Sequence, residues 1–173
     1  MLKLDSIQNF KEELTKMTPA VKQLNKLTLA YQLHHYQHDA NCKSFGLEAV
    51  DKLKVSAEVV FKTLVVDVDN AYLAVAIIPV VKQLSLKKLA KTLKAKKIKM
   101  ADANKVQNST GYVLGGVSPL GQKKPLVTLL DHSAERLNTI FISGGKRGLE
   151  IELSPENIIL SLQASYADIT SEV

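Results

Sequence analysis

Phe61-Lys62-Thr63-Leu64-Val65-Val66-Asp67-Val68 and Tyr72-Leu73-Ala74-Val75-Ala76-Ile77-Ile78, joined through Asp69-Asn70, decide how the rest of the chain is read. Both runs are rich in β-branched residues, and Asp-Asn carries the turn chemistry of a hairpin tip. The stretch is therefore a β-hairpin and is expected at the centre of the sheet. Alternation places Lys62 on the face shared with Leu64 and Val66. An ammonium in that company must reach a carboxylate, a cage of carbonyls, solvent or an anionic ligand. A lysine extending to solvent from a strand end is the plain alternative.

On the N-terminal side, Leu4, Ile7, Phe10, Leu14 and Met17 recur at helical spacing, so residues 1–17 read as an amphipathic helical extension. Thr18-Pro19 is an N-cap followed by proline at the first helical position, which starts a helix running to about Leu27. Tyr31–Tyr36 reads as a strand and Gly46–Leu53 as a short helix. On the C-terminal side Ser85 caps a lysine-rich helix, Ile98–Ala101 is a short strand, and a helical turn ends near Ser109. Strands follow at Leu126–Leu130, Thr139–Ser143 and Leu149–Leu153, and Ser154-Pro155-Glu156 opens a last helix to about Gln163. Strands outnumber helices without regular alternation, which predicts an α+β single domain with a mixed, curved sheet.

Composition narrows the function. With 46% hydrophobic and 23% charged residues, the 173-residue chain has globular composition and room for one core. The apolar run Leu73–Val81 is about half of a bilayer span of ~20 residues, so no membrane association is expected. Cys42 is the only cysteine, which excludes an internal disulfide and favours a reducing, cytoplasmic setting. The net charge of +6 is concentrated in Lys87, Lys88, Lys91, Lys94, Lys96, Lys97 and Lys99, a stretch without acidic residues. Such a patch suits a polyanion, and equally a solvated helix face.

The usual catalytic groupings are absent. His34 and His35 alternate to opposite faces of a strand, His38 has no ligand cluster near it, and His132 stands alone in the sequence, so no metal site is expected. Gly116-Val117-Ser118-Pro119-Leu120 misses a nucleophile elbow because Leu120 replaces the last glycine and Pro119 blocks a helix start. Cys42 with His38 is a conceivable nucleophile pair, but an incidental thiol is the commoner case. There remain Lys62 and two glycine turns, Gly115-Gly116-Val117-Ser118-Pro119 and Ser143-Gly144-Gly145-Lys146-Arg147. Both allow close approach to backbone amides, and together with Lys62 they begin to outline a pocket.

In order and spacing these segments resemble the YbaK family of Cys-tRNA(Pro) deacylases, related to the editing insertion of bacterial prolyl-tRNA synthetases. The resemblance runs from Thr18 to about Thr170. It is carried by Thr18-Pro19-Ala20, Tyr36, Phe45-Gly46, Phe61-Lys62-Thr63-Leu64, Lys87-Lys88-Leu89-Ala90, Ser109-Thr110-Gly111-Tyr112, Gly115 to Gly121 and Ser143 to Gly148. It implies a barrel-like mixed sheet flanked by helices, with residues 18–173 as the deacylase domain and residues 1–17 outside the pattern. It also implies a site in which Lys62 is the key lysine, Gly115 and Pro119 form the GxxxP loop, and Tyr36, Phe45 and Thr63 line the pocket. Gly116 and Ser118 would hold substrate through their backbone, and Ser143, Gly144 and Gly145 would contact the terminal adenosine or the amino acid. Lys87, Lys88, Lys91, Lys123, Lys124, Lys146 and Arg147 are the expected tRNA contacts.

By the same resemblance the reaction needs no cofactor, because the cysteine thiol of the substrate attacks its own ester, and prolyl-tRNA synthetase is the expected partner. Oligomeric state is open, and so are two other readings: a deacylase for another amino acid such as alanine, and a non-catalytic tRNA- or synthetase-binding module.

Overall fold

The structure is a computed structural model that describes residues 17–172. The amphipathic extension expected over residues 1–17 therefore lies, except for Met17, outside the described residues. Elements follow in the order α1 (Pro19–Lys26), β1 (Gln32–His35), α2 (Phe45–Leu53), β2 (Phe61–Val68), β3 (Tyr72–Pro79), β4 (Gln83–Leu84), α3 (Leu86–Leu93) and β5 (Ile98–Met100). Then come α4 (Ala103–Thr110), β6 (Val127–Asp131), β7 (Ile140–Ser143), β8 (Leu149–Leu153), α5 (Pro155–Leu162), β9 (Ser165–Ala167) and β10 (Thr170–Ser171). Short 3-10 turns cover Ala57–Val59 and His132–Arg136.

The expected hairpin forms with Asp69-Asn70-Ala71 between the paired Val68 and Tyr72; Asp69 and Asn70 both take positive φ, 54° and 52°, and the Ala71 amide closes the turn on the Val68 carbonyl at 2.9 Å. It sits inside a five-stranded mixed sheet ordered β5-β2-β3-β6-β9, in which β3–β6 and β6–β9 are parallel. A second, antiparallel sheet is ordered β1-β8-β7, and β10 pairs with β4. The strands β4, β9 and β10 lie outside the sequence expectation, because two- and three-residue runs are too short to show alternation. A parallel bridge between Val60 and Phe141 links the two larger sheets, which curve around one core without closing into a barrel among the described residues.

That core joins Phe61, Val65, Val75 and Ile77 of the hairpin to Ile140, Ile142, Ile151 and Leu153 of the second sheet. Ala20, Val21 and Leu24 of α1 and Ile158 of α5 close it. Burying each large side chain stabilises the fold by roughly 1.5–3 kcal/mol. A second cluster lies on the other face of the hairpin, where Leu89 of α3 packs against Val66, Val68, Ala76 and Ile78. Side-chain N-caps start four helices, three of them as their sequences imply: Thr18 accepts from the Val21 amide, Ser85 from Lys88 and Ser154 from Asn157, and Asp102 adds a fourth by accepting from Lys105.

Candidate active site

Pairing along β2 opens the site. β5 accompanies β2 only from Val66 to Val68, so nearer its start the strand has β7 as its neighbour on that side, reached through the Val60–Phe141 bridge. Between β2, the end of β7, α2 and the loop at Leu114–Gly115 lies a cavity of about 270 Å³, small even for a small-molecule site. Tyr36, Phe45, Lys62, Thr63, Gly115, Ser143, Lys146 and Arg147 all line it. One lysine and two glycine turns far apart in the chain thus meet around one hollow.

Lys62 is half-buried, and its only hydrogen bond among the described residues is a long one, from Nζ to the Val80 carbonyl at 3.5 Å. Alternation places it as expected, on the Leu64 and Val66 face. Burial pulls its pKa below the ordinary lysine value, and no carboxylate among the described residues pairs with it. Thr63 Oγ1 is buried and without a hydrogen-bond partner, an unsatisfied group that a ligand would satisfy. Tyr36 has its pKa pushed up to about 12, by burial first and then by the charges of Glu150 and Glu48, so its hydroxyl remains a donor.

Glu150 escaped the sequence reading. On β8, Leu149, Ile151 and Leu153 point into the core, which by alternation sends Glu150 and Glu152 to what looks like a solvent face. That face is the cavity wall instead. Glu150 stands directly across from Ser143 on β7 and His34 on β1, is 8% exposed, and among the described residues is the one acidic side chain lining the cavity. Burial raises its pKa to about 8, so it is largely protonated at neutral pH. No alternation signal separates it from Glu152, which bonds His34 and Thr139.

The glycines work by permitting close approach. Gly115 has φ +88°, and a Cβ there would lie 2.7 Å from the Phe45 ring. Gly116 closes a turn through its amide to the Val113 carbonyl at 3.0 Å and packs on the Lys146 backbone. Gly116, Ser118, Pro119, Gly144 and Gly145 do not line the cavity. Ser118 is fully buried and its Oγ accepts from the Leu120 amide. Pro119 borders a separate groove beside α1 and α5, and Gly144 and Gly145 pack against Leu149 and Tyr112. These residues shape the two turns from behind.

His38 Nδ1 bonds Glu48 at 2.7 Å, so it is not directed at Cys42, whose Sγ contacts the Ser44 carbonyl. His132 is not isolated as the sequence implied: its Nδ1 is 3.8 Å from Asp131, and Asp168 lies nearby. Asp131 is already used by Ser133 and the Ile169 amide, and Asp168 by Lys88. Of the lysine helix, Lys87 and Lys91 are exposed and form no ion pair among the described residues, but Lys88 is committed to both Asp168 oxygens, at 2.8 and 3.0 Å, and to the Thr170 carbonyl. Lys123 and Lys124 are exposed on a separate loop.

Comparison with known proteins agrees with this architecture. Residues 40–159 match the family described as the aminoacyl-tRNA editing domain. A relative from Enterococcus faecalis named "Putative Cys-tRNA(Pro)/Cys-tRNA(Cys) deacylase EbsC" is 33% identical over 162 residues, 94% of this chain and 98% of that protein. Among solved structures, "hypothetical protein APE2540" superposes with TM-score 0.80 at 24% identity, covering 89% of this chain and 100% of its own. "A putative trans-editing enzyme for prolyl tRNA synthetase" does so with TM-score 0.75 at 18% identity, covering 90% and 99%. At such identities the structural likeness speaks to fold. The family match over most of the chain and the near end-to-end relative speak to kinship, and the protein belongs to the aminoacyl-tRNA editing domain family.

Proposed function

We propose that this protein is a trans-editing deacylase that removes cysteine wrongly attached to tRNA(Pro), and that it acts on the same ester in Cys-tRNA(Cys). The observation that carries this reading is the cavity itself. An ammonium that is half-buried and without a carboxylate partner among the described residues, the backbone at Gly115 and a protonated carboxyl face one hollow about the size of an aminoacyl group with part of its ribose. Family membership and the name of the Enterococcus relative support the substrate class.

An aminoacyl ester is already activated, so the site has only to orient it and stabilise the charge that develops on its carbonyl oxygen. Ser44, Thr63 and Ser143 are among the residues that line the cavity, and among the described residues no histidine lines it to deprotonate a hydroxyl. In keeping with the family resemblance, the nucleophile is the substrate's own thiol. That thiol loses a proton, sulfur bonds to the carbonyl carbon, the carbon–oxygen bond to the ribose breaks, and the proton ends on the released ribose hydroxyl. The four-membered thiolactone is opened by water. Lys62 stabilises the thiolate, the Gly115 backbone holds the carbonyl, and Glu150 transfers its proton to the neutral α-amino group and pairs with the α-ammonium so formed.

Exposed Lys87, Lys91, Lys123, Lys124 and Lys146 contribute phosphate contacts that do not distinguish one tRNA from another. Identity is then supplied by a synthetase partner, with prolyl-tRNA synthetase the first candidate.

A panel of Cys-, Ser-, Ala- and Pro-tRNA tests the reading by release of the amino acid. Cys-tRNA is expected to react fastest, and Lys62→Ala to lower its rate about 100-fold or more. Ser-tRNA reacting as fast as Cys-tRNA would count against the thiol's role. Undiminished activity in Lys62→Ala would remove the lysine from the mechanism.

A further inference from the structure

Arg147 lies on the turn between β7 and β8 and from the sequence reads as one more phosphate-binding cation. Its contacts are of another kind. The guanidinium carbon sits 4.6 Å from the centroid of the Phe45 ring, and Nη2 donates to the Leu114 carbonyl at 3.2 Å. Phe45 also packs at a tilt against His38, 5.7 Å between centroids, and His38 is pinned by Glu48. Glu48 is buried, and its carboxylate also takes the Asp39 amide at 2.6 Å. Burial works against its charge, but the Asp39 amide and His38 outweigh it and hold its pKa below the ordinary glutamate value. One flat cation thus straps the Val113–Gly116 loop to a braced ring at the start of α2.

The strap bears on a single peptide plane. In a trans peptide the N–H points opposite to the carbonyl. With the Leu114 carbonyl held by Arg147, the Gly115 N–H of the same plane faces away from the guanidinium, and among the described residues it has no acceptor. Gly115 lines the cavity, and a Cβ there would come within 3.0 Å of Arg147 Nε, so the contact is close on both sides. Leu114 and Val113 are exposed at 52% and 57%, which leaves the loop little apolar packing of its own.

We propose that Arg147 is a positioning residue for the reaction: by holding the Leu114 carbonyl and stacking on Phe45, it sets the 114–115 peptide so that the Gly115 N–H meets the carbonyl oxygen of the ester. This rests on the reading of the cavity as an ester-cleaving site. A phosphate-binding arginine needs only charge, whereas a strap needs the planar fork, which lysine lacks. The two roles therefore predict different behaviour.

The test compares wild type, Arg147→Lys and Arg147→Ala on Cys-tRNA and on 3′-O-cysteinyl-adenosine, which has no phosphates. Amide hydrogen exchange over residues 113–116 is followed in parallel. The strap predicts that both variants lose about 10- to 100-fold in kcat on both substrates, as a misplaced catalytic group does. It also predicts an unchanged salt dependence of KM and faster exchange at 113–116. Phe45→Leu combined with Arg147→Ala should cost little more than Arg147→Ala alone. A loss confined to KM for Cys-tRNA, absent on cysteinyl-adenosine and restored by Arg147→Lys, overturns the proposal in favour of phosphate contact. If the wild type cleaves neither substrate, the enzymatic reading fails and the positioning role with it. The exchange rates then still report whether Arg147 holds the loop, and unchanged rates in Arg147→Ala reject even the strap.

Discussion

Glu150 and Thr63 separate stability from function at the level of single residues. Glu150 titrates near 8 in the fold against an ordinary 4.5, so between those values the native state holds a proton that the unfolded chain has lost. Stability therefore declines as pH rises from about 4.5 to about 8 and is greatest below that window. Glu150→Gln, measured by urea unfolding, is expected to be more stable than wild type at pH 8 by on the order of a few kcal/mol, with the gap shrinking towards zero at pH 4.5. A gap of constant size across that range would mean that the carboxyl is not buried in its charged form. Thr63 Oγ1 is buried without a partner, so Thr63→Val removes an unsatisfied group rather than a bond. We expect the valine variant to be as stable as wild type or up to about 1 kcal/mol more stable, yet to deacylate more slowly. Destabilisation in a thermal melt would show that the hydroxyl serves the fold instead.

At the level of elements, the β2–β3 hairpin was legible because two independent signals agreed, the β-branched runs and the residues at the tip. Asp69 also ties that tip to the approach of β5, its Oδ1 accepting from the Lys96 amide at 3.0 Å and the Lys97 amide at 2.6 Å. Asp69→Ala should cost about 1–2 kcal/mol, as the loss of a capping carboxylate does. Asn70→Gly, at φ 52° and without those bonds, should be neutral or slightly stabilising. Equal effects at the two positions in denaturant midpoints would contradict this division. Helix ends were harder to read than helix starts. α2, α3 and α5 are followed by Lys54, Lys94 and Gln163 in the left-handed region, where glycine would have announced the stop. The lysine helix likewise reads as uniformly basic, yet Lys88 serves the C-terminal segment through Asp168 and the Thr170 carbonyl.

Across the whole molecule, charge is split between a buried site and exposed lysines, and the two respond differently to salt. Replacing Lys87, Lys91 and Lys94 together with glutamine should raise KM for Cys-tRNA several-fold at physiological salt. It should also reduce the slope of log KM against log salt by up to about 3, since each phosphate contact contributes roughly 0.9. An unchanged slope would assign that helix face to solvation alone. Lys88→Gln is expected to leave the slope nearly untouched. Because its ion pair is half-exposed, its loss should change the denaturant midpoint little.

What the sequence determined by itself is local. It shows in the period of strands and helices, the caps at Thr18, Ser85 and Ser154, the hairpin tip, and the face of β2 on which Lys62 stands, because each follows from residues within a few positions of one another. Only the tertiary structure decided which face was covered. The same alternation that exposes Glu152 to His34 buries Glu150 in a cavity wall, and the same turn that sends Lys146 outward lays Arg147 on Phe45. The approach of β7 to β2 at Val60–Phe141 creates that wall. It is a long-range pairing driven by burial of a shared apolar core, and no pattern within either strand records which partner will come.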